Sequence, residues 1–346
     1  MFRTPLTRLS ALRGRRAALA SLLLGALSAL ALPPFHLIPV LLVAVPGLLA
    51  LIGNRARMRD AAWIGFWFGF GHHLIGLYWI TEAILVVAAV FWWLVPFAVP
   101  AVAAVLAVFV AAPAALAWRA RSGAARALAL AGGWVLADIA RQFVLTGFPW
   151  NLWGSVWAVP GRFGDVMLQP AALIGADGMT LLTLLLAATP VLGRRAMAGG
   201  ALLLAAWAGF GVWRLSLPRP AAPDLGVVLV QGDVPEGVPW SQERRMEVFT
   251  RYLRLTHDAV MQDAGEPLVV IWPETASPFL LPSDANARDA VSAAAMNEPV
   301  ISGTIRFDEH GQPHNSMAVV LDHGTLAGTY DKSHLVPFGE YQPSWL

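Results

Sequence analysis

Seven mainly apolar runs fill most of the chain before residue 214, at 17–32, 37–52, 61–80, 83–118, 125–144, 171–192 and 196–213. Crossing about 30 Å of hydrocarbon takes roughly 20 such residues in a helix, because only a helix or a closed barrel satisfies the backbone without water. The runs therefore predict a polytopic α-helical membrane bundle over residues 1–216, with about seven helices. The fourth run is overlong and carries Pro96 and Pro100, which either kink it or mark an interfacial segment ahead of the span proper.

Charge divides the chain at the same place. Residues 1–214 hold 16 Arg against 5 acidic residues, whereas residues 215–346 hold 7 Arg and 1 Lys against 17 acidic residues. Positive charge accumulates in cytoplasmic loops. Alternate loops carry Arg3, Arg8, Arg13, Arg15 and Arg16, then Arg55, Arg57 and Arg59, then Arg119, Arg121 and Arg126, then Arg194 and Arg195. The opposite set holds only Arg141, Arg162, Arg214 and Arg219. The N-terminus is thus expected in the cytoplasm and residues 217–346 on the far side, the periplasm in a Gram-negative cell. A cleaved signal peptide ending near Ala31 is the alternative for the first run, and it leaves that placement unchanged.

Few charges fall within or beside the spans: Glu82, Asp177, and Asp138 with Arg141 three residues on, which places that pair on one helical face. Such groups are expensive in lipid, and they mark either function or local pairing near the outer surface. His72 and His73 are adjacent, so they point in different directions on a helix, which argues against a shared metal. Trp92, Trp93, Trp150, Trp153 and Trp157 lie at expected outer boundaries, where aromatic anchors collect. Between the fifth and sixth runs, residues 146–170 are rich in Gly, Pro and Trp. This segment either covers a lipid-facing entrance or packs across the bundle.

Beyond the Pro- and Ala-rich boundary at 217–223 the period changes. Val-rich stretches at 225–230 and 268–272 read as strands, and Ser241 caps a helix whose Met246, Phe249, Leu253 and Val260 follow helical spacing. A second helix is expected at 285–296, then strands at 300–304, 315–322 and 325–330. The pattern is that of a layered α/β domain.

Three of its segments carry chemistry. Glu274 follows a buried strand, where open α/β sheets build their sites. Gly303 and Thr304 close another strand and Asn315 opens the next. Residues 330–343, YDKSHLVPFGEYQP, pack Lys332, His334 and Glu340 into a turn-rich stretch. Lys332 is the one lysine in a chain with 23 Arg, either a position that needs a compact ammonium or a chance survivor.

Trp272-Pro273-Glu274 with YDKSHLVPFGEYQP resembles the nitrilase-type domain of the apolipoprotein N-acyltransferases. LVQGDVPEGVPW at 229–240, FWFGFGHHLIGLYWI at 66–80 and TGFPW at 146–150 fit the same family, so the resemblance covers nearly the whole chain. It implies that residues 217–346 form the first part of a nitrilase-like αββα sandwich. It also implies transfer of a fatty acyl chain from a phospholipid donor to a diacylglyceryl apolipoprotein acceptor at the outer face of the bacterial inner membrane. Neither cofactor, metal nor nucleic acid enters that chemistry. By the same resemblance Glu274 is the general base, Lys332 stabilises the tetrahedral intermediate, Glu340 is a second required carboxylate, and Trp240 is a loop residue that meets substrate. The family's third catalytic member is a cysteine beyond the HLVPFGEY segment. The 346 residues contain no cysteine, so the expectation is a chain truncated before its nucleophile and inactive alone. A transporter would predict internal repeats and several midplane charges, and neither is evident. Another membrane-anchored nitrilase-like amidase would keep Glu274 and Lys332 without needing TGFPW or HLVPFGEY.

Overall fold

In the computed structural model the described residues are 3–85, 91–145, 147–218, 221, 224–235, 240–262, 267–336 and 340–341. Thr146 of TGFPW, residues 236–239 of the strand-and-loop motif, and 337–339 and 342–343 of the YDKSHLVPFGEYQP stretch lie outside them. The chain divides into two compact units, Met1–Pro218 and Arg219–Leu346.

The first unit is helical: α1 (Arg3–Ala11), α2 (Gly14–Ala29), α3 (Leu41–Gly53), α4 (Met58–Gly76), α5 (Ile80–Leu85), α6 (Val95–Trp118), α7 (Gly123–Arg141), α8 (Arg162–Leu168), α9 (Ala171–Leu192) and α10 (Arg194–Ser216). Among the described residues four helices are long and apolar enough to cross a membrane: Trp92–Trp118, Gly123–Arg141, Ala171–Leu192 and Arg194–Ser216. Large apolar side chains face outward as well as inward. Leu128, Leu136 and Leu202 are exposed while Leu48, Leu51 and Phe68 are buried, the distribution expected of a bundle whose solvent is lipid. Close contact then depends on small residues. A β-carbon on Gly25 of α2 would overlap the Phe68 carbonyl of α4, and one on Gly71 would overlap the Leu22 carbonyl in return. Ser21 donates to the Ile64 carbonyl across the same crossing (2.7 Å).

Three expectations change here. The overlong fourth run holds the end of α5 and all of α6, with residues 86–90 outside the described ones, and Pro96 lies in the first turn of α6, where its missing N–H costs nothing. Pro100 and Pro113 lie inside α6. The third run stops at Gly76 rather than at residue 80. Of the five boundary tryptophans, Trp92, Trp93 and Trp150 are exposed, but Trp153 and Trp157 belong to the core. They sit on a 3-10 turn, Trp153–Trp157, that packs into the bundle: the Gly154 amide donates to Thr180 Oγ1 (2.9 Å) and Trp157 Nε1 to Thr183 Oγ1 (2.8 Å). Residues 147–157 thus cross the bundle as a fastened strap.

The second unit carries β1 (Gly226–Leu229), α11 (Gln242–Gln262), β2 (Leu268–Ile271), α12 (Ala285–Ala294), β3 (Val300–Phe307), β4 (Pro313–Val320) and β5 (Leu326–Asp331). The five strands lie in sequence order. β1, β2 and β3 run parallel, and β4 and β5 continue antiparallel. The helices bury one face of this sheet, with Val248, Phe249, Tyr252 and Val291 packed against Val228, Val270, Trp272 and Val300. Ser241 accepts from the Arg244 amide at the start of α11 (3.2 Å), as its sequence position suggests. Trp272 Nε1 donates to Thr256 Oγ1 (2.8 Å), which ties the end of β2 to α11.

The hairpin between β3 and β4 departs from expectation. β3 continues to Phe307 and β4 begins at Pro313, so Gly303 and Thr304 are mid-strand and Asn315 pairs with Ile305. The turn is made later, where Asp308 accepts from the His310 and Gln312 amides and Gly311 takes a positive φ of 73°.

Candidate active site

β2 ends at Ile271, and Pro273 turns the chain so that Glu274 and Thr275 lie across β3. The Gly303 amide donates to the Pro273 carbonyl (3.2 Å) and the Ser277 amide donates to the Gly303 carbonyl (3.1 Å). Thr275 is held at a φ of 49°, a left-handed conformation uncommon outside Gly and Asn. Glu274 thus stands on a loop pinned from both sides by one strand.

Lys332 arrives from the other direction. It follows β5, and its amide donates to the Asn315 carbonyl (2.8 Å), extending the β4–β5 ladder by one bond. The preceding Asp331 fixes this strand end: Arg306 Nε and Nη2 donate to its two carboxylate oxygens (2.9 and 2.6 Å), and Ser316 Oγ donates to Oδ1 (2.6 Å). Those donors hold the Asp331 carboxyl well below its ordinary range.

The ammonium of Lys332 bridges two carboxylates. Nζ lies 2.9 Å from Glu274 Oε1 and 2.9 Å from Glu340 Oε1. Asn315 Nδ2 reaches the same two oxygens, at 2.5 and 2.6 Å. An amide nitrogen has two hydrogens. Both are used, one for each carboxylate, so the two negative groups share one cation and one amide. Glu340 Oε2 also accepts the Val336 amide (2.6 Å).

These bonds set the charge states. Burial raises the Glu340 carboxyl, but the Val336 amide, Asn315 and Lys332 outweigh it and bring it down to about 2. Lys332 lowers the Glu274 carboxyl first and Asn315 second. Glu274 and then Glu340 raise the Lys332 ammonium. All three are ionised at neutral pH. Glu274 is the exposed member, at 63% of its side chain against 21% for Glu340. Its bonds among the described residues all fall on Oε1. Glu274 therefore owes its low proton affinity to its partners.

Beside Glu274 opens a cavity of about 170 Å³ lined by Gln231, Val234, Trp240, Tyr252, Pro273, Thr275 and Ala276. All four residues singled out from sequence lie at this end of the sheet: Glu274, Lys332 and Glu340 in direct contact, Trp240 in the cavity wall. Gly303 and Asn315 were singled out from sequence only as strand ends in a chemistry-bearing segment, with no role assigned, and Tyr252 was not foreseen as a site residue. Asn315 had a signal, since Asn is depleted in strands and this one leads directly into the run Met317 to Val320. Gly303 had another, because a glycine inside a strand marks a close approach. Among the described residues no group of three His, Cys, Asp or Glu is placed to hold a metal.

Residues 24–189 match the N-terminal domain of apolipoprotein N-acyltransferases. The chain is also similar to proteins of that name over nearly its whole length. It is 38% identical to the apolipoprotein N-acyltransferase of Brucella suis biovar 1 over 365 residues, covering 97% of this chain and 67% of that protein. It is 36% identical to that of Allorhizobium ampelinum over 363 residues, with the same two coverages. Against the one from Caulobacter vibrioides it is 37% identical over 347 residues, covering 94% and 64%. The chain spans about two thirds of the length of these relatives.

Proposed function

The chain belongs to the apolipoprotein N-acyltransferase family, and from that premise we propose that it moves a fatty acyl chain from a phospholipid to the α-amino group of a diacylglyceryl-cysteine at a lipoprotein N-terminus. The observation that carries this reading is the ammonium of Lys332 bridged between Glu274 and Glu340 beside a cavity. Both substrates are lipids, which accounts for joining such a site to a helical membrane unit. The excess of Arg in alternate loops supports a cytoplasmic N-terminus and a periplasmic site on the inner membrane.

The residues divide the labour as follows. A thiol has an ordinary pKa of about 8.5 and attacks as the thiolate, so a base must take its proton. Glu274 does this through Oε2, since Oε1 is occupied by Lys332 and Asn315. When sulfur adds to the ester carbonyl, the oxygen becomes an oxyanion. The Lys332 ammonium stabilises it, an interaction worth about 2.7–4 kcal/mol by the cost of losing such a donor elsewhere. Collapse breaks the ester C–O bond, and the leaving lysophospholipid oxygen takes the proton from Glu274. The acceptor amine then attacks the thioester, its proton passes to Glu274, and the departing thiolate recovers it. Glu340 keeps Lys332 charged and in place.

The 346 residues contain no cysteine, so an acyl-enzyme on sulfur requires a thiol from outside them. This favours a second reading in which these residues alone bind lipid without turnover. Expressing the gene product in cells depleted of their own N-acyltransferase tests the function. Mass spectrometry of lipoprotein N-termini should show the third acyl chain restored. Diacylated N-termini, with the protein present in the membrane, would overturn it.

A further inference from the structure

The helical unit buries ionisable groups that the reaction does not use. His72 and His73 on α4 and Asp138 and Arg141 on α7 are each at most 3% exposed, and Trp153 of the strap is fully buried. They form one neighbourhood. The His72 ring stacks on Trp153 at 4.7 Å and meets His73 edge-on at 5.0 Å. Arg141 Nε donates to Asp138 Oδ1 (2.8 Å), Arg141 Nη1 donates to the Phe148 carbonyl of the strap (3.1 Å), and the charge of Arg141 acts on both imidazoles. Asp177 on α9 is near enough for its charge to act on Asp138.

Several polar atoms here have no hydrogen-bond partner among the described residues: His72 Nε2, His73 Nδ1, Asp138 Oδ2, Trp153 Nε1 and Asp177 Oδ1. Their chemistry can be assigned. Ser28 Oγ spends its hydrogen on the Gly25 carbonyl (2.6 Å), so at 3.0 Å from His72 Nδ1 it accepts. A neutral His72 ring therefore carries its proton on Nδ1, and Nε2 is a bare acceptor. The orphans are then three acceptors, one indole donor, and His73 Nδ1, which can play either part.

We propose that His72, His73, Asp138, Trp153 and Asp177 bound a buried hydrated chamber beneath the strap, whose occupant is water. A water molecule donates twice and accepts, which matches acceptors mixed with an indole N–H, and buried waters typically make about three bonds to such groups. A metal cation would satisfy the carboxylates but not the Trp153 N–H, and it would face Arg141.

Water-edited solid-state NMR on the protein in lipid bilayers, with ¹⁵N-labelled Trp and His, tests this against internal controls. Trp157 Nε1 and Trp207 Nε1 are buried but donate to Thr183 Oγ1 and the Met167 carbonyl. Magnetisation from water should reach the Trp153 indole several-fold faster than either of those, and His72 should show an unprotonated Nε2. Build-up at Trp153 equal to the two controls would overturn the proposal. So would a change in the Trp153 and His72 signals when Na⁺ is replaced by N-methylglucamine, since that identifies a cation. Trp153→Phe assigns the indole signal; should that variant not fold, the 4.7 Å contact with the His72 ring assigns it in the unaltered protein.

Discussion

Gly303 and Thr275 meet backbone to backbone: a β-carbon on Gly303 would overlap the Thr275 nitrogen and lie 2.7 Å from the Glu274 carbonyl carbon. Neither side yields cheaply, because Gly303 is mid-strand and Thr275 already sits at positive φ. Gly303→Ala should therefore displace the Glu274 loop, with a stability cost of about 1–3 kcal/mol, typical of overpacking. Acyl transfer should fall further than the stability loss explains. Thermal unfolding and activity measured on the same preparation check this, and unchanged activity would show that the loop position is immaterial.

Asn315 lets two carboxylates share one ammonium. Hydrogen bonds to charged groups contribute about 1.5–3 kcal/mol each, so Asn315→Ala should slow acyl transfer about 10- to 100-fold. Asn315→Asp should be worse, since it adds a third negative charge against Glu274 and Glu340. Initial rates with a fluorescent phospholipid donor give the ranking, and Asp equal to Asn would contradict it.

Glu340 makes stability depend on acid. Its folded pKa, about 2, lies below the ordinary value of 4.5, so the unfolded chain binds the proton more readily. Its contribution is present above about pH 4.5 and fades as pH falls toward 2. Denaturant midpoints of the detergent-solubilised protein should drop across this window, and the drop should be smaller in Glu340→Gln. Equal slopes for the two proteins would remove Glu340 from the account.

The Asp138–Arg141 pair is buried, and removing one partner from such a pair costs about 3–5 kcal/mol. Arg141→Leu should destabilise the helical unit by that order and free the strap at Phe148, whereas Asp138→Asn with Arg141→Leu should recover part of the loss. Thermal unfolding in detergent with limited proteolysis across 147–157 reads both effects.

Much of this architecture was legible because hydropathy, charge and period all change near residue 217. Asp138 and Arg141 announced their pairing by a spacing of three. Glu274 and Lys332 were found through the motifs around them, although 58 residues separate them. What stayed hidden depends on tertiary contact. Trp153 and Trp157 read as membrane anchors because hydropathy is the same for a ring in the headgroups and one in the core; only their burial, with the Gly154 amide on Thr180 and the Trp157 indole on Thr183, distinguishes them. Asn315 was misread as a strand opening because the hairpin turn lies at Asp308–Gln312, beyond where the apolar alternation of β3 fades.

The central claim is that Glu274 and Lys332 act on one acyl carbonyl. The direct measurement is lipoprotein N-acylation by mass spectrometry in depleted cells carrying the unaltered gene, Glu274→Gln or Lys332→Ala. Loss of a general base costs about 10²–10⁴ in rate and loss of an oxyanion donor about 10²–10³, so each variant should leave lipoproteins diacylated although the protein reaches the membrane in normal amount. Near-normal triacylation by either variant would contradict the account.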